Sequence, residues 1–328
     1  MKVAAAILTL SLASTSLVSR SAAQSQAAPQ DSAVFRSGAS LVALNVTVTD
    51  SKERFVTGLE VQDFAVFEDG IQQDVRFFES SAIPIDLIIL LDTSASMRHR
   101  LETVQRAALG FVDTLREGDR AAVVAFNDGV DVLQGLTSGR GLLESAIRST
   151  TARGATALHN ALYVALKQFG RSVRDTSEVR RQALAVLSDG DDTSSLISFE
   201  DVLEIARKSG VSVYTISLVS DYSERAFGAV ARAFSDSDYG MRKLAQDTGA
   251  LSFFPRSADE LGGIYDSIAK ELSNQYSIGY APRNARADGR YRRITVRVPS
   301  RPELRSRARS GYLAPGQPPA SGQSPHER

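Results

Sequence analysis

The segment at residues 85–91 constrains the fold most, because it is a near-continuous apolar run. A strand with this pattern is buried on both faces, which is typical of a parallel sheet covered by helices. Similar apolar segments follow at residues 121–126, 183–187 and 211–218, and a short antiparallel edge strand is predicted at 130–133. Amphipathic segments predict helices at residues 101–115, 157–169, 199–208 and 259–272. This alternation predicts an α/β fold with a doubly wound, mostly parallel sheet at residues 83–274.

The segments on either side of this domain, residues 34–82 and 275–313, have the period of β-strands. Apolar residues alternate with polar or small ones from Val42 to Val48, and again from Ile294 to Val298. Asp69-Gly70 predicts a two-residue type I′ turn, after a strand with Phe64 and Val66 and before a return strand with Val75 and Phe77. Each flank has too few strands to bury a core. We therefore predict that the flanks form one β-sandwich into which the α/β domain is inserted.

Five arginines alternate with inward residues in the second flank, which predicts that they share one face of a sheet. This face could have one of two roles. A solvated, charged face would discourage pairing of the sheet edge with another strand, whereas a contact surface would bind anionic wall or lipid components. These residues are Arg293, Arg297, Arg305, Arg307 and Arg309.

The two ends of the chain differ from the rest in composition. Lys2, an apolar stretch at residues 3–17 and the small residues 21–23 predict a signal peptide at residues 1–23. Disordered segments are predicted at residues 24–33 and 314–328, which are rich in Pro, Ser, Gln and Ala or Gly. We therefore expect an exported protein, periplasmic or extracellular, with no transmembrane segment in the mature chain. The absence of cysteine is compatible with a bacterial periplasm or exterior.

The charge balance argues against one class of partner. Lys plus Arg and Asp plus Glu both number 38, so no global field draws the protein to nucleic acid.

Polar groups are predicted at the carboxyl ends of the central strands, where ligands bind in doubly wound sheets. The first strand leads into Asp92, Ser94 and Ser96, the strand at 183–187 is followed by Asp189, and Thr156 precedes a helix. Mg²⁺ prefers oxygen ligands and uses only one or two protein carboxylates. These five residues therefore form a candidate site for a hard divalent cation.

In these residues the sequence resembles the von Willebrand factor type A family and its metal-ion-dependent adhesion site. The Asp-x-Ser-x-Ser element matches at Asp92, Ser94 and Ser96, the threonine at Thr156 and the distal aspartate at Asp189. The resemblance implies Mg²⁺, or Mn²⁺ or Ca²⁺, as the cofactor, and a protein ligand that offers an Asp or Glu carboxylate. The flanking segments at residues 66–70, 276–280 and 308–312 resemble the acidobacterial-type subfamily. The polar stretch at residues 221–240 departs from the family pattern, and no role is predicted for it.

Other interpretations of the same residues are available. Ser94, Ser96 and Thr156 could cap helices, and Asp189 could begin an ordinary turn. A serine hydrolase using Ser94, Asp189 and His159 is disfavoured, because neither Ser94 nor Ser96 lies in a Gly-x-Ser-x-Gly nucleophile elbow.

A bound cation could have two further roles in this protein. Metal-assisted hydrolysis would need Asp191 or Asp192 as a base. A purely structural metal in an envelope complex is a further alternative. We expect a binding protein rather than an enzyme, and the sequence predicts no oligomeric state.

Overall fold

The computed structural model describes residues 41–80, 83–172, 179–189, 191–218 and 235–316. The predicted signal peptide, the linker at 24–33, residues 221–234 of the unassigned stretch and residues 317–328 lie outside this part. The strands are β1 (Val42–Thr49), β2 (Ala65–Glu68), β3 (Ile71–Gln73), β4 (Val75–Glu79), β5 (Ile85–Asp92), β6 (Arg120–Phe126), β7 (Val130–Thr137), β8 (Arg181–Ser188), β9 (Ser212–Ser217), β10 (Ser252–Phe253), β11 (Tyr276–Tyr280), β12 (Tyr291–Arg297), β13 (Arg305–Arg307) and β14 (Gly311–Leu313). The α-helices are α1 (Leu101–Asp113), α2 (Arg140–Arg148), α3 (Leu158–Ser172), α4 (Phe199–Ser209), α5 (Asp236–Thr248) and α6 (Leu261–Ser273).

The central sheet has the strand order β10-β9-β8-β5-β6-β7. Every neighbouring pair is parallel except β6 and β7, which are antiparallel. Strand β5 lies in the middle, pairs along its length with β6 and β8, and is buried at every position. The predicted α/β fold class with a mostly parallel sheet is confirmed.

Helices cover both faces of this sheet, and the alternation along β5 divides the core between them. Leu87, Ile89 and Leu91 pack with α1, α2 and α6, whereas Ile88 and Leu90 pack with α3, α4 and α5. In the described part of the chain, no helix has the length and apolar character needed to cross a membrane.

Helices α2 and α5 were not predicted from the sequence. Helix α2 is only nine residues long, and α5 begins inside the stretch at 221–240, where several charges and Gly240 obscure the apolar period. Ser235 caps α5 by accepting a hydrogen bond from the Asp238 amide at 3.1 Å. A sequence without a clear periodic face can thus still form a helix when its cap and its tertiary contacts favour it.

The two flanks form a sandwich of two four-stranded antiparallel sheets, ordered β13-β1-β11-β4 and β14-β12-β2-β3. Each sheet combines strands from before and after the α/β domain, as predicted. The shared core contains the inward residues of β1, β11 and β12, among them Leu44, Val46, Ile278 and Val296. Ala314, the first residue of the segment predicted to be disordered, is buried, and its amide donates a hydrogen bond to the Arg290 carbonyl at 2.9 Å.

The predicted hairpin differs from the structure in its second strand. Asp69 and Gly70 have φ values of 48° and 83°, as a type I′ turn requires. The return strand is β3, however, and β4, with Val75 and Phe77, belongs to the opposite sheet and pairs with β11. The prediction that Val75 and Phe77 return beside β2 is wrong, because β4 instead forms the entrance to the α/β domain.

Strands β4 and β11 hold the two junctions of the inserted domain side by side. The chain enters the domain after β4 and leaves it just before β11, and these strands pair from Glu79 opposite Ser277 to Val75 opposite Tyr280. Both junctions are therefore fixed in one hydrogen-bonded ladder.

A buried carboxylate at Glu271 of α6 joins the domain to the sandwich. Glu271 is 1% exposed, and it accepts hydrogen bonds from Tyr214 at 2.8 Å and Thr47 at 3.3 Å. Arg307 forms an ion pair with its other oxygen at 2.6 Å. The expectation that the five arginines, Arg309 among them, share one face of a sheet is wrong, because Arg293 and Arg297 lie on β12 in one sheet and Arg305 and Arg307 lie on β13 in the other.

We expect Glu271→Ala to destabilise the protein by about 3 kcal/mol, because it leaves Arg307 and Tyr214 without their buried acceptor. The matched control is Glu303→Ala, which removes an exposed ion pair with Arg301 and is expected to change stability by less than about 1 kcal/mol. Urea unfolding of both variants measures the difference. Equal stabilities for the two variants would show that Glu271 does not hold the joint.

Candidate metal-binding site

The loops that carry the candidate ligands meet at the carboxyl edge of the central sheet. Strand β5 ends at Asp92 and β8 at Ser188, directly before Asp189. The amide and hydroxyl of Thr93 both donate to the Phe126 carbonyl at the end of β6, at 2.7 and 2.9 Å. These bonds continue the strand pairing by one residue and fix the direction in which the loop leaves the sheet.

The Asp92 side chain is fully buried and is held at both oxygens. Its Oδ1 accepts a hydrogen bond from the Ser94 amide at 2.8 Å, and its Oδ2 accepts one from the Ser188 hydroxyl at 2.6 Å. Burial raises the pKa of Asp92 above its ordinary value, although these hydrogen bonds act in the opposite direction. The charge of Asp189 raises this pKa further, so the two carboxylates lie close enough to repel each other.

Three side-chain oxygens form a continuous chain beside Asp92. The Ser94 and Ser96 hydroxyl oxygens are 2.9 Å apart, and Ser96 donates to Asp189 Oδ1 at 2.8 Å. Adjacent ligands of an octahedral Mg²⁺ ion with bonds of about 2.05 Å are separated by about 2.9 Å. The spacing and chemistry of these oxygens therefore fit a hard divalent cation.

Thr156 lies in a third loop that is hydrogen-bonded to the other two. Its amide donates to the Thr193 hydroxyl at 3.1 Å, and its carbonyl accepts from the Thr193 amide at 2.9 Å, beyond Asp189 in sequence. The Gly154 carbonyl of the same loop accepts from the Ala95 amide at 3.0 Å. The structure thus connects Ser94, Ser96 and Asp189 through their side chains, and the Asp92 side chain joins them through the Ser94 amide. Thr156 is linked through backbone hydrogen bonds of its loop.

Gly154 is required by this arrangement. Its φ is +73°, and a Cβ there would lie 2.3 Å from the Asp128 carboxylate.

Two residues of this site were missed in the sequence. Ser188 orients Asp92, and the Arg100 guanidinium contacts Asp189 Oδ2 at 3.1 Å, with the Arg100 side chain 17% exposed. The position of Ser188 directly before Asp189 was a usable signal, because the last residue of β8 lies beside β5. Nothing in the sequence indicates the contact of Arg100, since it depends on how a short 3-10 helix after Ser94 turns the chain.

In the alternative serine hydrolase, the proposed base His159 and the proposed nucleophile Ser94 each have another partner. His159 Nδ1 lies 2.7 Å from Asp192 Oδ2, and Ser94 bonds to Ser96. Asp192 also accepts hydrogen bonds from the Ser194 and Ser195 amides, at 3.2 and 3.0 Å. Asp192 therefore shapes its own loop.

Among the described residues there is no group of three or more His, Asp or Glu side chains that could hold a metal ion.

The protein is thus an α/β domain with a doubly wound sheet, whose candidate site lies in the loops at the carboxyl ends of the strands. The family model of the von Willebrand factor type A domain matches residues 86–267, more than half of the chain. The protein therefore belongs to this family.

Individual relatives are distant. A UPF0353 protein of Mycobacterium marinum is 24% identical over 223 residues, which are 64% of this chain and 66%, just under two thirds, of the relative. Among solved structures, a von Willebrand factor type A protein from Catenulispora acidiphila has a TM-score of 0.49 and 18% identity, covering 73% of this chain and 52% of that one. The vWF domain of the type V pili tip protein Mfa5 from Porphyromonas gingivalis has a TM-score of 0.43 and 14% identity, covering 58% and 95%.

We expect Asp92→Asn to raise the melting temperature of the protein in EDTA at neutral pH. The asparagine oxygen can accept from the Ser94 amide and its NH2 group can donate to the Ser188 hydroxyl, so two hydrogen bonds remain while a buried charge is removed. Because the native pKa of Asp92 is raised, its ionisation lowers stability as pH rises through that pKa. The advantage of the variant should therefore shrink as the pH is lowered and the wild-type carboxyl takes up its proton.

Calorimetric melting across a pH series measures this difference. The control is Asp191→Asn, at an exposed position, for which no change is expected. A lower melting temperature for Asp92→Asn than for the wild type in EDTA would contradict the argument.

Proposed function

We propose that this protein is an exported, divalent-cation-dependent binding module, whose cation docks a carboxylate of a protein partner. The proposed ligands are Asp92, Ser94, Ser96, Thr156 and Asp189, a metal-ion-dependent adhesion site, with Mg²⁺ as the cation or Mn²⁺ or Ca²⁺ in its place. The observation that carries the proposal is the spacing of 2.8 to 2.9 Å along Ser94, Ser96 and Asp189. The proposed role is adhesion or assembly rather than catalysis.

The charges of the site support a carboxylate as the partner group. A bound cation would supply a positive centre able to attract an acidic side chain. The hydroxyls of Ser94 and Ser96 offer oxygen without negative charge, and Arg100 offsets part of the charge of Asp189. The residues of the chain therefore leave the cation incompletely neutralised.

The proposed location is a bacterial periplasm or the exterior of the cell, based on the signal-like residues 1–23. We further assign the chain to the acidobacterial-type subfamily, based on the sequence of its two flanks.

We expect the wild type to bind Mg²⁺ or Mn²⁺, and Asp92→Ala and Thr156→Ala to weaken that binding. Free cation at a hundred times its dissociation constant should stabilise the fold by about 2.7 kcal/mol, reversibly with EDTA. The measurements are titration calorimetry and thermal melting, with Thr151→Ala, an exposed threonine near the site, as the control. Neither heat of binding nor a chelator-sensitive melting shift in the wild type would remove the basis of the proposal.

One observation favours a second function, that of a structural component of an envelope complex. Asp189 already has a cation of the protein itself, because Arg100 contacts its Oδ2, and the Asp189 side chain is only 1% exposed. A cation bound there could fasten the loops without meeting a partner. Capture of envelope proteins on the immobilised protein, with Mg²⁺ or with EDTA, distinguishes the two. Capture that ignores EDTA, Asp92→Ala and Thr156→Ala would favour the structural role.

We expect Arg100→Gln to tighten cation binding by about tenfold, because it removes a positive charge that competes for Asp189. The control is Arg98→Gln, which removes an exposed arginine two residues earlier. Calorimetric titration with Mg²⁺ gives both affinities. Unchanged or weaker binding in Arg100→Gln would show that the guanidinium positions Asp189 for the cation instead of opposing it.

A further inference from the structure

An apolar groove lies beside the candidate metal site, between α3, α4 and α5. Its volume is about 520 Å³, and its apolar lining includes Leu158, Leu162, Phe199, Leu203 and Met241. Asp191 also lines it, two residues after Asp189, so their Cα atoms are at most about 7.6 Å apart. The groove is therefore within reach of a peptide that contacts the metal site.

The two most exposed large apolar side chains of the described residues lie on this side of the molecule. Tyr239, 71% exposed, lines the groove, and Leu196, 94% exposed, lies in the loop between Asp189 and α4. The backbone of that loop is fixed, because the Leu196 and Ile197 amides both donate to Asn160 Oδ1 at 3.1 Å. An exposed leucine on a fixed backbone is available to a partner at little cost in conformational entropy.

The rim of the groove is acidic. Asp191, Glu200 and Asp236 are exposed and form no ion pair with any residue in the described part of the chain. The basic groups of the lining are paired, Lys243 with Asp247 at 2.6 Å and His159 with Asp192 at 2.7 Å. The groove therefore complements an apolar side chain accompanied by a positive charge.

We propose that this groove binds an extended segment of the protein partner, in which an acidic residue is followed after roughly two or three positions by an apolar and then a basic residue. The acidic residue binds at the metal site, as in the function proposed above and resting on it. The apolar side chain enters the groove, and the basic residue meets Asp191, Glu200 and Asp236. The acidic residue of the segment thus faces the cation, and its basic residue faces the acidic rim of the groove. The segment can therefore bind in only one direction.

The test uses fluorescently labelled peptides of the sequence Gly-Asp-Gly-Leu-Lys and the full chain with saturating Mg²⁺. Replacing the leucine by glycine should weaken binding by about tenfold or more, as expected for loss of a buried leucine side chain. Replacing the lysine by glutamate should weaken it several-fold, in a manner that depends on salt. Fluorescence anisotropy measures each dissociation constant.

Protein variants locate the effect. Tyr239→Ser should reduce the difference between the leucine and glycine peptides, whereas Leu142→Ser, at a 56% exposed leucine on the other face of the sheet, should leave it intact. The double variant Asp191→Asn with Glu200→Gln should lose the preference for lysine. Its control is Glu204→Gln, an exposed residue of α4 outside the groove.

The outcomes separate the groove from the metal site. Binding that needs Mg²⁺ and the aspartate, but is equal for the leucine and glycine peptides, overturns the groove and leaves the metal proposal standing. Binding that depends on leucine and persists in EDTA, or with asparagine in the peptide, supports the groove and overturns metal docking. No binding of any peptide overturns the groove proposal.

Discussion

The parallel pairing of β5 with β6 on one side and β8 on the other determines where everything else in the α/β domain lies. Because all three strands run in the same direction, their carboxyl ends meet at one edge. Because β5 is buried on both faces, helices must cover both faces, and the polar side chains of the candidate site come from the loops at the strand ends. Asp92 and Asp189 are brought together by this pairing, although they are 97 positions apart in sequence.

Burying Asp92 at the end of such a strand creates an energetic conflict inside the site. Ser188 and the Ser94 amide favour its ionised form, while burial and the nearby Asp189 disfavour it. The Arg100 guanidinium partly neutralises the charge of Asp189 through its contact with Oδ2. A buried charge held in this balance costs folding stability, so a cation bound as proposed would raise the stability of the protein. That property connects the stability of the loops to the proposed function.

The sequence predicts the parts of this protein that rest on periodicity and on contacts near in sequence. Five of the six central strands were predicted, four from apolar segments and β7 from the turn before it, and four helices were predicted from their apolar period. The two-residue strand β10 was not predicted, because it is too short to show a pattern. The sequence did not show that β4 lies in the sheet opposite β2 and β3, because Val75 and Phe77 continue the alternation that follows the Asp69-Gly70 turn. Only the pairing with the distant strand β11 shows to which sheet β4 belongs. The five candidate ligands could be proposed from the sequence, whereas Arg100 and the groove depend on tertiary packing that no local pattern encodes.

The sandwich joins the α/β domain at the edge opposite the loops that carry the candidate ligands. Strands β4 and β11 meet the domain at the amino end of β5, where Arg181 also binds the carbonyl oxygens of Ile83 and Gln275. An eight-residue strand such as β5 is about 26 Å long, so its length separates this joint from Asp92. An insertion whose two junctions share one ladder disturbs neither core, since each core closes on its own strands. The flanks therefore fix the orientation of the domain and leave its carboxyl edge, which carries the candidate site, on the side away from the sandwich.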